Sequence, residues 1–139
     1  MKTAVFPGSF SSLDEIRSFF SIGAKEAGFS GQALFDILLA ADEAASNIID
    51  HAYGGEGKGD IECSYQILES RLELFLKDNG KPFDPDNIPL LDLDVDLESR
   101  KPRGLGLFFM KSLMDEVNFS FNGQGGNVLR MVKNCSGSE

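Results

Sequence analysis

Residues 42–53 read DEAASNIIDHAY and close a helical pattern that begins after Ser30. Upstream and within this stretch, apolar side chains recur at the spacing of one helix face. Its members are Leu34, Ile37, Leu38, Ala41, Ala45, Ile48 and Ala52. We therefore predict an amphipathic helix from Ser30 to about Ala52, with this face packed on the rest of the protein.

The opposite face of the predicted helix is polar and carries no Lys or Arg. It consists of Asp36, Glu43, Asn47 and Asp50. Glu43 and Asn47 are four residues apart, so their side chains meet one turn apart. Carboxylate and amide oxygens suit a hard cation such as Mg²⁺ and an activated water. A merely solvated helix face is the alternative that this helix alone leaves open.

Two β-hairpins are predicted downstream of this helix. Residues 60–67 and 71–77 alternate apolar and polar side chains on either side of a Glu-Ser turn, as paired strands do. Residues 116–121 and 127–133 repeat the pattern around a glycine-rich turn. Helices followed by antiparallel hairpins predict a two-layer sandwich with the helices on one sheet face.

Three further elements complete the predicted fold. Residues 2–6 are predicted to form a short strand. Ser11 or Ser12 can cap a first helix, and Glu15, three residues after Ser12, completes a capping box. A third helix is predicted from about Gly104 to Met114. The expected fold is α+β, a mixed and mainly antiparallel sheet with about three helices on one face. One domain is expected over residues 1–135, followed by a disordered tail at 136–139.

The tripeptide Asp78-Asn79-Gly80 follows the second predicted strand. A plain turn is one interpretation, because this composition is common in turns. The other is a carboxylate that accepts a hydrogen bond from the exocyclic amine of adenine. A buried Asp would then select ATP over GTP, because the wrong base leaves the charge unpaired.

A second loop motif, Arg103-Gly104-Leu105-Gly106-Leu107, stands directly before the third predicted helix. Glycines at a helix N-terminus let backbone N–H groups approach phosphate oxygens. A loop without a ligand is the alternative. The connection between the two motifs is about 25 residues long, which is typical of a lid or a binding loop. We expect a lid over residues 79–103.

Charge and cysteine content narrow the classes of partner. The net charge of −9 argues against nucleic acid or an anionic membrane as the main partner. Only two cysteines occur, Cys63 and Cys135, without the spacing of a zinc site or a disulfide framework. The N-terminus lacks the apolar core of a signal peptide. A cytoplasmic location is therefore expected.

Three motifs in order, Glu43-x-x-x-Asn47, Asp78-x-Gly80 and Gly104-x-Gly106, resemble the N, G1 and G2 boxes of the GHKL, or Bergerat-fold, ATPases. More narrowly, the chain is similar to the anti-sigma-factor serine kinase branch of that superfamily. The resemblance spans about residues 3–133. It rests on DEAASNIIDHAY, KDNGKPFDP (77–85) and RGLGLFFMKSLMDEV (103–117).

The resemblance implies a role for each matched residue. Glu43 takes the place of the general base, and Asn47 that of the magnesium ligand. Asp78 matches the adenine-reading aspartate, and Gly80 the glycine that makes room for the base. The glycines that cradle phosphate are matched by Gly104 and Gly106. The remaining expected cofactor-binding residues are Asp50, His51, Arg103, Leu105, Leu107 and Asn127.

Two positions depart from the wider superfamily. Pro82 stands where the first G box often has a second glycine, and Asn127 stands near a threonine found by the last strand. Asn127 can still form hydrogen bonds. No phosphoacceptor helix or transducer domain is recognisable, which disfavours histidine autophosphorylation and DNA-topology roles.

The function implied is a Mg-ATP-dependent protein serine/threonine kinase that binds ATP/ADP and Mg²⁺. Its expected partners are an anti-anti-sigma (STAS) protein that is phosphorylated and a sigma factor that is sequestered. Homodimers are common in this branch, so a second copy is also an expected partner. Two alternatives stay open: a nucleotide-regulated binding module without phosphotransfer, and an ATP-hydrolysing switch without a protein acceptor.

Overall fold

The computed structural model describes residues 1–81, 110–121 and 126–135. The predicted lid after Lys81, the Arg103–Leu107 motif, and the tail at 136–139 lie outside the described residues. So does most of the third predicted helix.

A five-stranded sheet forms one layer of the protein, and its described strand pairs are all antiparallel. The strands are β1 (Lys2–Pro7), β2 (Asp60–Leu68), β3 (Arg71–Asp78), β4 (Glu116–Phe121) and β5 (Asn127–Asn134). Their order across the sheet is β1-β2-β3-β5-β4. Both predicted hairpins are confirmed, and β3 is the central strand. Its second neighbour, β5, comes from the far end of the chain.

The alternating pattern of the strands sorts their side chains onto two faces. Leu72, Leu74 and Leu76 of β3 point to one face and are fully buried beneath the helices. The other face carries Glu73, which is also buried despite its charge. Arg130 Nη2 lies 2.6 Å from Glu73 Oε2, and Gln66 donates to Oε1 at 3.2 Å. This ion pair offsets the cost of burying the carboxylate.

Two helices cover the apolar face, α1 (Leu13–Glu26) and α2 (Gly31–Asn47). Ile16, Phe20 and Ala24 of α1 are buried against the sheet. The ring of Tyr65 packs so closely on Gly23 that a Cβ there would lie 2.5 Å from a ring carbon. None of the helices in the described ranges is long and apolar enough to cross a membrane. The α+β sandwich with helices on one face is confirmed.

Ser12 directly precedes α1 as predicted, but the predicted capping box does not form. Helical winding already begins in a 3₁₀ turn at Phe10, so the backbone of Ser12 is itself helical and its side chain makes no cap hydrogen bond. A residue of a distant loop, Glu56, accepts hydrogen bonds at the start of this helical segment instead. Glu56 Oε1 accepts hydrogen bonds from Ser9 Oγ at 2.7 Å and from the Phe10 N–H at 2.9 Å.

The second predicted helix is confirmed, but its winding changes at the C-terminal end. The α-helix ends at Asn47 and continues as a π-helical turn over Ile48–Ala52. Its characteristic i to i−5 bond runs from the Tyr53 N–H to the Ile48 carbonyl at 2.9 Å. Such turns insert one residue into a helix and are frequent at functional sites.

Residues 110–113 are helical and belong to the end of the third predicted helix. Met110 is buried in the same core as α1 and α2. Lys133 Nζ donates to the Leu113 carbonyl at 2.6 Å, which satisfies a carbonyl at the end of this helix. Strand β5 thus holds the segment that follows the Gly104 motif.

Candidate functional site

A pocket opens where the end of α2 meets the ends of β3 and β5. Among the described residues, its polar lining comes from three elements: Asn47 on α2, Asp78 on β3 and Asn127 on β5. The rest of the lining is apolar and consists of Ala44, Ile48, Ala52, Met110, Phe119, Val128 and Leu129. Apolar walls with a few convergent polar groups are typical of small-molecule sites. The carboxylate and amide groups of this lining can form hydrogen bonds with a ligand in the pocket.

Asn47 reaches this pocket because of its position on the helix. The buried face of α2 is wider than the sequence pattern indicated and includes Ala40 and Ala44. Asn47 follows Ala40 and Ala44 along one edge of that face and is half-buried, so it lines the pocket between the helix and the sheet. Asp36 is different, since its carboxylate accepts from Gln32 and lies 4.0 Å from Lys133. Asp36 lines a separate groove and does not belong to the pocket that Asn47 lines.

Asp78 is the last residue of β3 and is only 5% exposed. Its Oδ1 accepts two hydrogen bonds of 2.8 Å, from the Gly80 N–H and from Asn127 Nδ2. Burial raises the pKa of the Asp78 carboxyl, and these two bonds offset part of that rise. A buried carboxylate with a preset direction is what recognition of an amino group requires.

Asn127 is the direct cross-strand partner of Asp78 in the β3–β5 register. Its Nδ2 also approaches the carbonyls of Lys81 at 3.0 Å and Gly80 at 3.2 Å. One buried amide therefore ties the start of β5 to both the carboxylate and the backbone of the turn that follows β3.

Two glycines allow the backbones to come this close. A Cβ on Gly80 would lie 2.3 Å from the Ala52 carbonyl oxygen, and the neighbouring Lys81 N–H donates to that oxygen at 2.8 Å. Gly126 has φ +96° and would place a Cβ 2.3 Å from the Asp78 carbonyl oxygen. The turn is thus pressed against the π-helical turn on one side and β5 on the other.

Tyr53 holds the turn after β3 in place through its hydroxyl group. Its hydroxyl donates to the Asp60 carbonyl at 2.6 Å and accepts from the Asn79 N–H at 3.0 Å. Burial raises the pKa of Tyr53, so the hydroxyl keeps its proton. A Cβ on Gly59 would lie 2.4 Å from the Tyr53 ring. In the structure Tyr53 is a positioning residue for the Asp78 turn.

Glu43 lies one helical turn before Asn47 and is half-buried. Burial raises the pKa of its carboxyl, and the charges of Asp42 and Asp50 raise it further. Arg17 of α1 pairs with Asp42 at 2.5 Å. A carboxylate with a raised pKa, next to a pocket, is suited to accept a proton from a substrate hydroxyl.

The other expected site residues divide into two groups. Asp50 and His51 lie in the π-helical turn, where Asp50 is exposed and His51 half-buried. The motif from Arg103 to Leu107 lies outside the described residues. The structure therefore brings Asn47, Asp78, Gly80 and Asn127 together, with Glu43 one turn away.

Several residues in or beside the pocket are missed by reasoning from the sequence. The glycine-rich pattern assigns Gly126 only to a turn, and Met110 and Phe119 are assigned only to a helix and a strand. A glycine directly before a strand that begins with a polar residue is the signal that could have found Gly126. Nothing in the local pattern marks Met110 or Phe119, because any core position looks the same in sequence.

The donor set of the pocket fits a magnesium ion bound together with phosphate. Within the described ranges, no cluster of three or more His, Cys, Asp or Glu side chains forms a metal cage. Asn47 supplies one amide oxygen. Mg²⁺ commonly takes one or two protein ligands and completes its shell with waters and substrate phosphates.

The chain is similar to known proteins in both sequence and fold. Residues 6–133 match the family described as the histidine kinase-like ATPase domain. A serine-protein kinase RsbW from Listeria monocytogenes is 39% identical over 103 residues, 71% of this chain and 66% of the relative. An RsbW from Bacillus velezensis is 31% identical over 118 residues, 82% of this chain and 72% of the relative. The chain thus spans 66% of the length of the Listeria protein.

Solved structures show the same fold. The RsbU and RsbW domains of a Mycobacterium tuberculosis protein superpose with a TM-score of 0.61 and 14% identity, over 96% of this chain and 32% of theirs. The catalytic domain of the histidine kinase ThkA gives a TM-score of 0.57 and 13% identity, over 96% of this chain and 98% of that domain.

Proposed function

We propose, from the premise that this chain belongs to the histidine kinase-like ATPase domain family, that it binds Mg-ATP and phosphorylates a serine or threonine of a partner protein. One observation carries the proposal. Asn47 and Asp78, from a helix and a strand, line one largely apolar pocket. Glu43, a half-buried carboxyl group, lies one turn from Asn47.

Each pocket residue has a proposed task. Asp78 accepts a hydrogen bond from the 6-amino group of adenine, and the apolar walls enclose the ring. Asn47 would hold a magnesium ion through its amide oxygen. That ion, when bound, neutralises phosphate charge and so lowers the barrier to phosphoryl transfer. Asp50, His51 and the motif from Arg103 to Leu107 are proposed to complete the nucleotide site.

Glu43 is proposed to act as the general base. It takes the proton of the attacking hydroxyl while the hydroxyl oxygen bonds to the γ-phosphorus and the bond to the ADP oxygen breaks. Positioning and electrostatics supply most of the rate in phosphoryl transfer. A positioned base adds roughly 10²–10⁴-fold.

The proposed acceptor is an anti-anti-sigma protein of the STAS class, and the second proposed partner is a sigma factor. The support is the similarity to proteins named serine-protein kinase RsbW and the resemblance to anti-sigma-factor kinases. A homodimer belongs to the same proposal and is testable by sedimentation of the purified chain.

The test is transfer of label from γ-labelled ATP to candidate STAS proteins. Glu43→Gln should lower transfer roughly 10²–10⁴-fold and retain ADP binding in calorimetry. Glu69→Gln, in the exposed turn between β2 and β3, is the matched control and should transfer normally. Binding without transfer in the wild type would favour a nucleotide-regulated binding module. ATP turnover without an acceptor would favour a hydrolytic switch.

A further inference from the structure

We propose that Asn127 is the positioning residue that aims the Asp78 carboxylate at the base, and that it thereby sets the preference for adenine. This inference rests on the proposed function. The inference goes beyond the proposed function because it assigns base selectivity to Asn127, whose amide is directed at the turn after β3.

The hydrogen bonds of Asn127 carry the inference. Its Nδ2 lies within 3.2 Å of three acceptors: Asp78 Oδ1 at 2.8 Å, the Lys81 carbonyl at 3.0 Å and the Gly80 carbonyl at 3.2 Å. An amide nitrogen has two protons, so three acceptors engage its full donor capacity. All three belong to the turn after β3, and Asn127 is itself only 7% exposed.

The consequence for Asp78 is directional. Within the described ranges, both donors to its carboxylate, the Gly80 N–H and Asn127 Nδ2, reach Oδ1. These bonds hold Oδ1 in place, and no hydrogen bond from the described residues reaches Oδ2, so Oδ2 can accept from a donor on a ligand. A carboxylate held in one orientation does not lose rotational freedom when the base binds, which favours affinity.

The residue type matters at this position. Threonine or serine has one hydroxyl proton and could serve only one of the three acceptors. Aspartate would place a second carboxylate beside the buried Asp78 and repel it. Gly126 has a φ of +96°, which lets β5 begin against the Asp78 carbonyl. That close approach brings the Asn127 amide within bonding distance.

The experiment compares Mg-ADP with Mg-inosine diphosphate by calorimetry. Inosine replaces the 6-amino group by a carbonyl oxygen and carries a proton on N1, and it leaves the sugar and the phosphates unchanged. Asn127→Ala should weaken ADP binding roughly tenfold or more, the scale of a lost hydrogen bond to a charged group. Inosine diphosphate binding should change little. Asn134→Ala, an exposed asparagine on the same strand, is the matched control and should keep the wild-type ratio.

A double-mutant cycle separates positioning from direct contact. If Asn127 acts through Asp78, adding Asn127→Ala to Asp78→Asn should change ADP affinity no further. Additive losses, or an unchanged ADP-to-inosine-diphosphate ratio in Asn127→Ala, would overturn the inference and leave the proposed function standing. If the wild type binds neither nucleotide, the proposed function fails and this inference with it.

Thermal denaturation of each variant shows whether it is folded. Should Asn127→Ala not fold, Asn127→Ser takes its place, since it retains one donor. A smaller loss of the ADP preference in the same direction is expected from it. A wild-type preference in a folded Asn127→Ser variant would overturn the inference equally.

Discussion

At the scale of a single residue, the surroundings of Glu43 change the pKa of its carboxyl group. It shares α2 with Asp42 and is followed by Asp50 in the π-helical turn. Burial, together with these two negative charges, raises the pKa of its carboxyl. Arg17 neutralises Asp42 in part through a 2.5 Å ion pair. Asp50 is exposed, so its substitution is the simpler way to change the charge near Glu43.

We predict that Asp50→Asn shifts the acid limb of the pH–rate profile for phosphotransfer to lower pH. The negative charge of Asp50 raises the pKa of Glu43, so its removal lowers that pKa. The base then stays ionised in more acidic solution. The measurement is the transfer rate as a function of pH. Glu69→Gln is the charge-matched control, and an equal shift in that variant would show that the effect is not local to Glu43.

At the scale of elements, the site depends on how closely the ends of β3 and β5 approach. Asp78 and Asn127 are paired in register, and Gly126 lies against the Asp78 carbonyl. The π-helical turn closes the other side, where the Lys81 N–H donates to the Ala52 carbonyl at 2.8 Å. The turn carrying Asp78 is thus positioned by backbone contacts from two elements.

We predict that Gly126→Ala destabilises the protein more than Gly54→Ala. Both glycines have positive φ, +96° and +73°, so both variants meet a strain of about 1–2 kcal/mol. Only the Cβ at Gly126 collides, at 2.3 Å from the Asp78 carbonyl oxygen, whereas Gly54 has nothing within 4 Å. The collision should add about 1–3 kcal/mol.

Urea denaturation of the two variants measures this difference. Gly126→Ala should also weaken ADP binding, because the Asp78 turn must move to accept the methyl group. Equal losses of stability in the two variants would contradict the close approach of β5 to Asp78.

For the whole molecule, the pocket exists only when helix layer and sheet are docked. Asn47 comes from one layer, and Asp78 and Asn127 from the other. The unfolded chain separates these residues and cannot form the pocket. A ligand that binds only the folded protein therefore adds directly to the free energy of unfolding.

We predict that Mg-ADP raises the melting temperature of the wild type. At a ligand concentration about 100 times Kd the gain in unfolding free energy is about 2.7 kcal/mol. Asn47→Ala should lose the magnesium-dependent part of the gain, which thermal denaturation with and without a chelator measures. A variant that keeps the full response to magnesium would contradict the role of Asn47.

Local sequence patterns by themselves determine much of this protein. The hairpin formed by residues 60–67 and 71–77, the long helix, and the Glu43–Asn47 pair follow from periods of two and 3.6 residues within single elements. The family resemblance follows from the order of the three motifs, and the match over residues 6–133 confirms it. Short-range spacing is preserved on folding because the backbone geometry of each element imposes it.

The site needs the folded chain. The Asp78–Asn127 bond joins residues 49 positions apart, and Glu56 takes over the role predicted for Ser12 from 46 positions beyond Phe10. The contacts of Gly80 with Ala52, and of Gly126 with Asp78, arise from packing between elements. The local sequence of a segment does not indicate which distant backbone segment will pack against it. Such pairings follow from strand order and from the docking of helices on the sheet, which are properties of the whole core.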